Sequence, residues 1–129
     1  MTFLGGRIVL ALGGLVFAAF GILYLVTPHA MAASVGVSML STGAVVDVQG
    51  IYGGLELGIG IFLGICAVDP AFTRVGLLAG MLVLGCVAVT RLVALARFGV
   101  PDATVASLIG LDLLGAGLHA WFARRYRAA

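Results

Sequence analysis

The chain has 129 residues, 63% of them hydrophobic and 9% charged. Its formal charge of +2 comes from seven arginines, no lysine and five acids. A soluble domain carries about a quarter charged residues, so this composition excludes a water-soluble enzyme or a nucleic-acid-binding module and describes an integral membrane protein. The length allows one domain, residues 1–129. The absence of lysine removes Schiff-base chemistry, and Cys66 and Cys86 sit at different depths of apolar runs with no disulfide or metal-ligand spacing.

A first apolar run, 5–26, is long enough to span a bilayer, with Arg7 at its start, Tyr24 near its end, and Gly13, Gly14, Ala18 and Gly21 offering small surfaces to a neighbouring helix. The competing reading is a cleaved signal peptide, since Ala30-Met31-Ala32 has the small-x-small form, but the run exceeds the usual signal core. Thr27-Pro28 has the form of an N-cap followed by proline at the first helical position, and predicts a short interfacial helix from Pro28 to Val35. Gly36 to Ala44 is a loop at the membrane surface. The second span, 45–68, ends at Asp69-Pro70, where aspartate caps and proline opens the third span, 71–97. Phe98-Gly99-Val100-Pro101-Asp102 marks another turn, and the fourth span, 103–122, runs into Trp121, Arg124, Arg125, Tyr126 and Arg127, a membrane-interface pattern. The sequence thus predicts an all-α membrane four-helix bundle made of two antiparallel helical hairpins. Arg7, Arg74 and the C-terminal arginines share one side, so the positive-inside rule places both termini in the cytoplasm, N-in and C-in.

The second span is the predicted centre. Gly50, Gly54 and Gly58 form a small-xxx-small run on one face. At about 100° per residue, Gln49, Gly53, Glu56 and Gly60 form a polar stripe beside it, with Tyr52 adjacent. Those five glycines are the predicted helix-packing residues; Gly76 and Gly80 on the third span and Gly115 and Gly117 on the fourth extend the same pattern. Glu56, Arg91 and Asp112 lie at similar depth inside three spans. Each costs about 2.5–3.5 kcal/mol at a span centre on the insertion scale, so Arg91 is predicted to bridge both acids. The set carries one surplus negative charge, to be met by a proton, a cation or a polar ligand, unless the cluster only fixes helix register. Gln49 and Tyr52 would line its entrance. His119 shares a face with Asp112 but is predicted to be interfacial, beside Trp121. His29 lies on the opposite side, so the histidines cannot share a metal, and no metal centre is predicted. No P-loop, GxSxG or HExxH pattern is present.

The segment Asp47-Val48-Gln49-Gly50-Ile51-Tyr52-Gly53-Gly54-Leu55-Glu56-Leu57-Gly58-Ile59-Gly60, with Thr90-Arg91-Leu92 and an acid in the fourth span, resembles a family of small bacterial four-helix membrane proteins of unassigned function within the DoxX-like group. The resemblance runs from Pro28 onward, and its most specific part is YGGxxxGxG with the later arginine; the arginine that the family often carries near Gln49 is missing. It implies the same four-helix architecture and a bacterial cytoplasmic membrane. Named members of the wider group are associated with quinone or thiol redox systems, as subunits beside other proteins.

Three functions remain open on the sequence. The first is a binder of a lipophilic small molecule, or an accessory subunit of a larger membrane complex or homo-oligomer, seated among membrane lipid. The second is a redox or acid–base enzyme using Glu56 or Asp112 with Arg91, on a quinone- or lipid-type substrate. The third is a proton-coupled transporter. No cofactor is specified by any of these patterns, and no nucleic-acid partner is expected.

Overall fold

The molecule begins with helix α1, Thr2–Val26. It continues through a short α2, Pro28–Ser34, α3, Thr42–Val68, α4, Thr73–Phe98, and α5, Ala103–Arg125. The computed structural model describes the backbone of residues 2–99 and 103–126, and the side chains of all of these except Thr2 and Phe3. The predicted Val100-Pro101-Asp102 turn and Arg127 lie outside the described residues. All four helices other than α2 are long and apolar enough to cross a bilayer, the pattern of a multi-pass membrane protein, and the regular structure among the described residues is helical throughout.

The helix ends follow local chemistry. Thr27 is not the side-chain cap its sequence position predicts: its hydroxyl donates back to the Leu23 carbonyl at 2.9 Å, closing α1 instead of opening α2. After α2 the chain turns at Gly36, whose φ of 74° suits a residue without Cβ. Gly36 N–H donates to Ala33 and Val37 N–H to Ala32, the paired bonds of a Schellman ending. Helix α3 starts three residues earlier than predicted because Ser41 is its N-cap, accepting from the Ala44 N–H at 3.2 Å. Between α3 and α4, Asp69 accepts from the Ala71 N–H at 2.9 Å, and α4 starts only at Thr73, after this tight turn.

Packing divides the bundle into two antiparallel pairs, α1 with α3 and α4 with α5, and α1 also touches both α4 and α5. The central helix is therefore α1, not α3 as the glycine pattern of the second span predicts. Its small face meets the backbone of α3 directly. A Cβ on Gly60 would sit 2.6 Å from the Ala18 nitrogen, one on Gly14 2.9 Å from the Gly60 carbonyl, and one on Gly21 2.5 Å from the Leu57 nitrogen. Only glycine permits that approach.

The start of α1 and the end of α5 lie at one end, where Gly5 faces Phe122, Gly6 faces Leu77 and Tyr126, and the main apolar cluster gathers Leu10, Leu63, Cys66, Ala67, Leu77, Ala123 and Tyr126. Three side chains tie this end together. Arg7 donates through Nε to the Ala67 carbonyl at 2.6 Å and through Nη2 to that of Val68 at 3.0 Å, capping α3 with a positive charge at its negative end. The Thr73 hydroxyl donates to the Cys66 carbonyl at 3.0 Å, and the Tyr126 hydroxyl to that of Pro70 at 3.1 Å. Arg125 stacks over Trp121 at 3.7 Å. The core is thus concentrated in one half, leaving the other half for polar side chains.

Candidate functional site

The polar half is built on an irregularity in α3. From Gln49 to Leu55 the helix winds as a π-helix, then returns to α geometry at Glu56. Three of these seven residues, Gly50, Gly53 and Gly54, are glycine, which gives up little to leave the α conformation; π turns of this kind are frequent at functional sites. The winding carries Gln49 to α1, where its amide donates to the Leu25 carbonyl at 2.8 Å and satisfies a free group of the last helical turn. Gln49 thereby ties α3 to α1.

One turn further, Tyr52 stacks on Tyr24 of α1, with ring centroids 5.2 Å apart and planes inclined by 29°. Tyr24 is buried at 8% exposure, whereas Tyr52 is 48% exposed and forms the outward side of the pair. Tyr24 is the residue that sequence reasoning missed. Its place near a span end reads as an ordinary interface aromatic, and only the pairing of α1 with α3 reveals its partner.

Arg91 of α4 forms an ion pair with Asp112 of α5. Glu56 is half-buried, within electrostatic range of both Arg91 and Asp112 and of Tyr24. It is not bridged by Arg91: among the described residues Asp112 alone is ion-paired to it, and the Glu56 Oε2 atom is buried without a hydrogen-bond partner. The predicted three-way bridge is therefore replaced by a pair and a separate carboxylate. The reason lies in the packing, in which α4 pairs mainly with α5 while α3 pairs with α1. Each of the four spanning helices contributes to the cluster: Tyr24, then Tyr52 and Glu56, then Arg91, then Asp112. Arg91 also lines a groove of about 330 Å³ between α4 and α5, walled by Ala94, Leu95, Phe98, Gly99, Val105 and Ile109.

Gly53 and Gly60 are buried against α1, where a Cβ on Gly53 would meet Leu25 at 2.7 Å. The predicted packing run behaves oppositely. Gly50, Gly54 and Gly58 are exposed, and a Cβ at any of them would meet no other helix. Gly76 and Gly80 do allow close approach, facing Cys66 and the His119 ring, and Gly115 faces Leu84, while Gly117 faces nothing.

His119 differs from its predicted interfacial place. At 2% exposure it is buried between Gly13 of α1 and Gly80 of α4. Its Nδ1 lies 2.8 Å from the Gly115 carbonyl, which fixes the proton on that nitrogen, and Nε2 has no partner among the described residues. His29 is exposed at the opposite end. Among the described residues, no group of three or more His, Cys, Asp or Glu side chains is gathered for a metal ion. Cys66 is buried, Cys86 is exposed, and both are free.

The arrangement can hold one small polar or charged group against an apolar background. The groups it offers are the aromatic pair and the carboxylate, beside the Arg91–Asp112 pair that joins α4 to α5. In comparison with known proteins, residues 6–123 match the family described as "Domain of unknown function (DUF4345)". No curated protein and no solved structure matches the chain.

Proposed function

The chain belongs to that family, and we propose that it binds a lipophilic small molecule within the membrane, with the polar head of the ligand received by Glu56 beside Tyr24, Tyr52, Arg91 and Asp112. The observation that carries this reading is the Glu56 Oε2 atom, buried and without a hydrogen-bond partner in a cluster to which all four spanning helices contribute. An unsatisfied carboxylate oxygen in an apolar bundle is costly. A binding group that completes it offsets that cost, and intramembrane ionisable groups mark functional sites by default.

We place the family beside the DoxX-like group on the strength of the Tyr52-Gly53-Gly54 segment with Arg91. We also place the protein in a bacterial cytoplasmic membrane with both termini inside. Arg7, Arg74, Arg124 and Arg125 lie at the end shared by the termini, and Arg97 lies at the other, the distribution of the positive-inside rule.

Native mass spectrometry of the protein released from mild detergent tests the binding reading. Wild type is expected to carry a lipophilic species that Glu56→Gln loses while its thermal unfolding is unchanged. Protein without bound species, or a Glu56→Gln variant that retains it, would overturn the reading.

A second reading, as an accessory subunit, is favoured by the exposed Gly50, Gly54 and Gly58 face, a small-xxx-small surface that leaves room for another membrane helix. Copurification of a partner from wild type and its loss from Gly54→Leu would support this reading. Equal recovery from both would count against it.

A further inference from the structure

We infer that the ligand of this site is a lipophilic cation, whose charge is received by Glu56 and whose apolar body rests on the Tyr52–Tyr24 pair; this rests on the binding reading above. The first argument is charge. The cluster contains two carboxylates and one guanidinium, and Arg91 is committed to Asp112, whose side chain is only 13% exposed. That pair is neutral as a unit, so when Glu56 is ionised the unbalanced charge of the cluster is its own. Among the described residues no second cation is at hand: Arg97 and His29 are both exposed towards the end of the bundle opposite the start of α1. An anionic ligand would meet two carboxylates for one occupied guanidinium, whereas a cation would complete the set.

The second argument is surface. Tyr52 precedes Glu56 by one turn on the same helix, and its ring, 48% exposed, continues to the outside of the bundle beside Ile51 and Leu55, which are themselves 49% and 59% exposed. The buried Tyr24 ring holds Tyr52 in place from behind. A carboxylate next to an aromatic platform is how a poorly hydrated cation is recognised, by charge together with the negative face of the ring. The approach is lateral, from the apolar surroundings of α3, which suits a ligand that partitions into lipid before it binds.

The ion pair tetraphenylphosphonium and tetraphenylborate, equal in shape and opposite in charge, tests this with the full chain in neutral maltoside micelles by equilibrium dialysis. The phosphonium is expected to bind saturably and at least about tenfold more tightly than the borate, and Glu56→Gln should weaken it about tenfold. Tyr52→Leu is expected to weaken phosphonium binding several-fold, with Tyr52→Phe retaining it, because the ring face and not the hydroxyl is used. Equal or tighter binding of the borate, or phosphonium binding that is unchanged in Glu56→Gln, overturns the cation assignment. The two readings fail separately. If a native species copurifies with wild type and is lost from Glu56→Gln while phosphonium does not bind, the site stands and its cation class is wrong. If neither binds, both are wrong.

Discussion

At the scale of single residues, the Arg91–Asp112 pair decides how much of the polar cluster is structural. Removing one partner leaves the other charged in a span, whereas replacing both with apolar groups of similar size removes the desolvation cost along with the attraction. Arg91→Met should therefore lower stability by about 2–3 kcal/mol, and Arg91→Met combined with Asp112→Leu should recover all but about 1 kcal/mol of it. Thermal unfolding in detergent compares the two; a double variant no more stable than the single would show that the pair has a further partner. The depth of Glu56, Arg91 and Asp112 was legible in the sequence, since position along a span follows from counting residues. Their pairing was not. It depends on which helix lies beside which, and α3 sits against α1 while α5 holds Arg91. His119 shows the same limit: its distance from the helix end suggests the interface, but Gly13 and Gly80 make a slot that admits the ring into the bundle.

At the scale of elements, two glycine rows on one helix have opposite roles. Gly60 faces α1 so closely that a side chain would press on the backbone of Ala18, while a Cβ on Gly58 would meet no other described part of the chain. Gly60→Leu is expected to prevent assembly, read as loss of monodisperse protein on size exclusion, and Gly58→Leu to leave the monomer as stable as wild type. The reverse result would mean that α3 is turned round. Composition reveals that α3 can be approached on two sides, because small residues recur at spacings of three and four. It does not reveal which side is used, because lipid and a helix surface are equally apolar neighbours. The small residues singled out on α1 are all used: Gly14, Ala18 and Gly21 face α3, while Gly13 faces the His119 ring.

At the scale of the whole molecule, cohesion and chemistry occupy different halves. The end shared by the termini has the apolar cluster and the Arg7, Thr73 and Tyr126 hydrogen bonds; the other half has the aromatic pair and the carboxylate. Arg7→Ala would leave the Ala67 and Val68 carbonyls without their guanidinium and is expected to cost about 1–2 kcal/mol, seen as earlier thermal unfolding with phosphonium binding at saturation unchanged. Reporter fusions test the orientation: fluorescent protein on the C-terminus should mature and alkaline phosphatase there should be inactive. An active phosphatase would put the arginine-rich end outside. The four long apolar helices were legible because hydropathy is a property of each segment alone, and the start of α4 differs from the sequence reading by less than a turn. Helix adjacency was not, because it is set by contacts between segments far apart in the chain.

The wider winding of Gln49–Leu55 can also be seen as a question of length. A π turn occupies nearly the same rise as an α turn with one residue more, so it stores an insertion inside a continuous helix. Deleting Gly54, which touches no other helix, should let α3 close into uninterrupted α geometry without moving Glu56–Val68. Because the wide turn absorbs the extra residue, everything before it would keep its facing, with Gln49 still on Leu25 and Tyr52 still beside Tyr24. Relatives one residue shorter in this stretch are therefore expected to keep both the bundle and the aromatic pair on a regular helix, so the wide winding would mark an inserted residue that the scaffold tolerates.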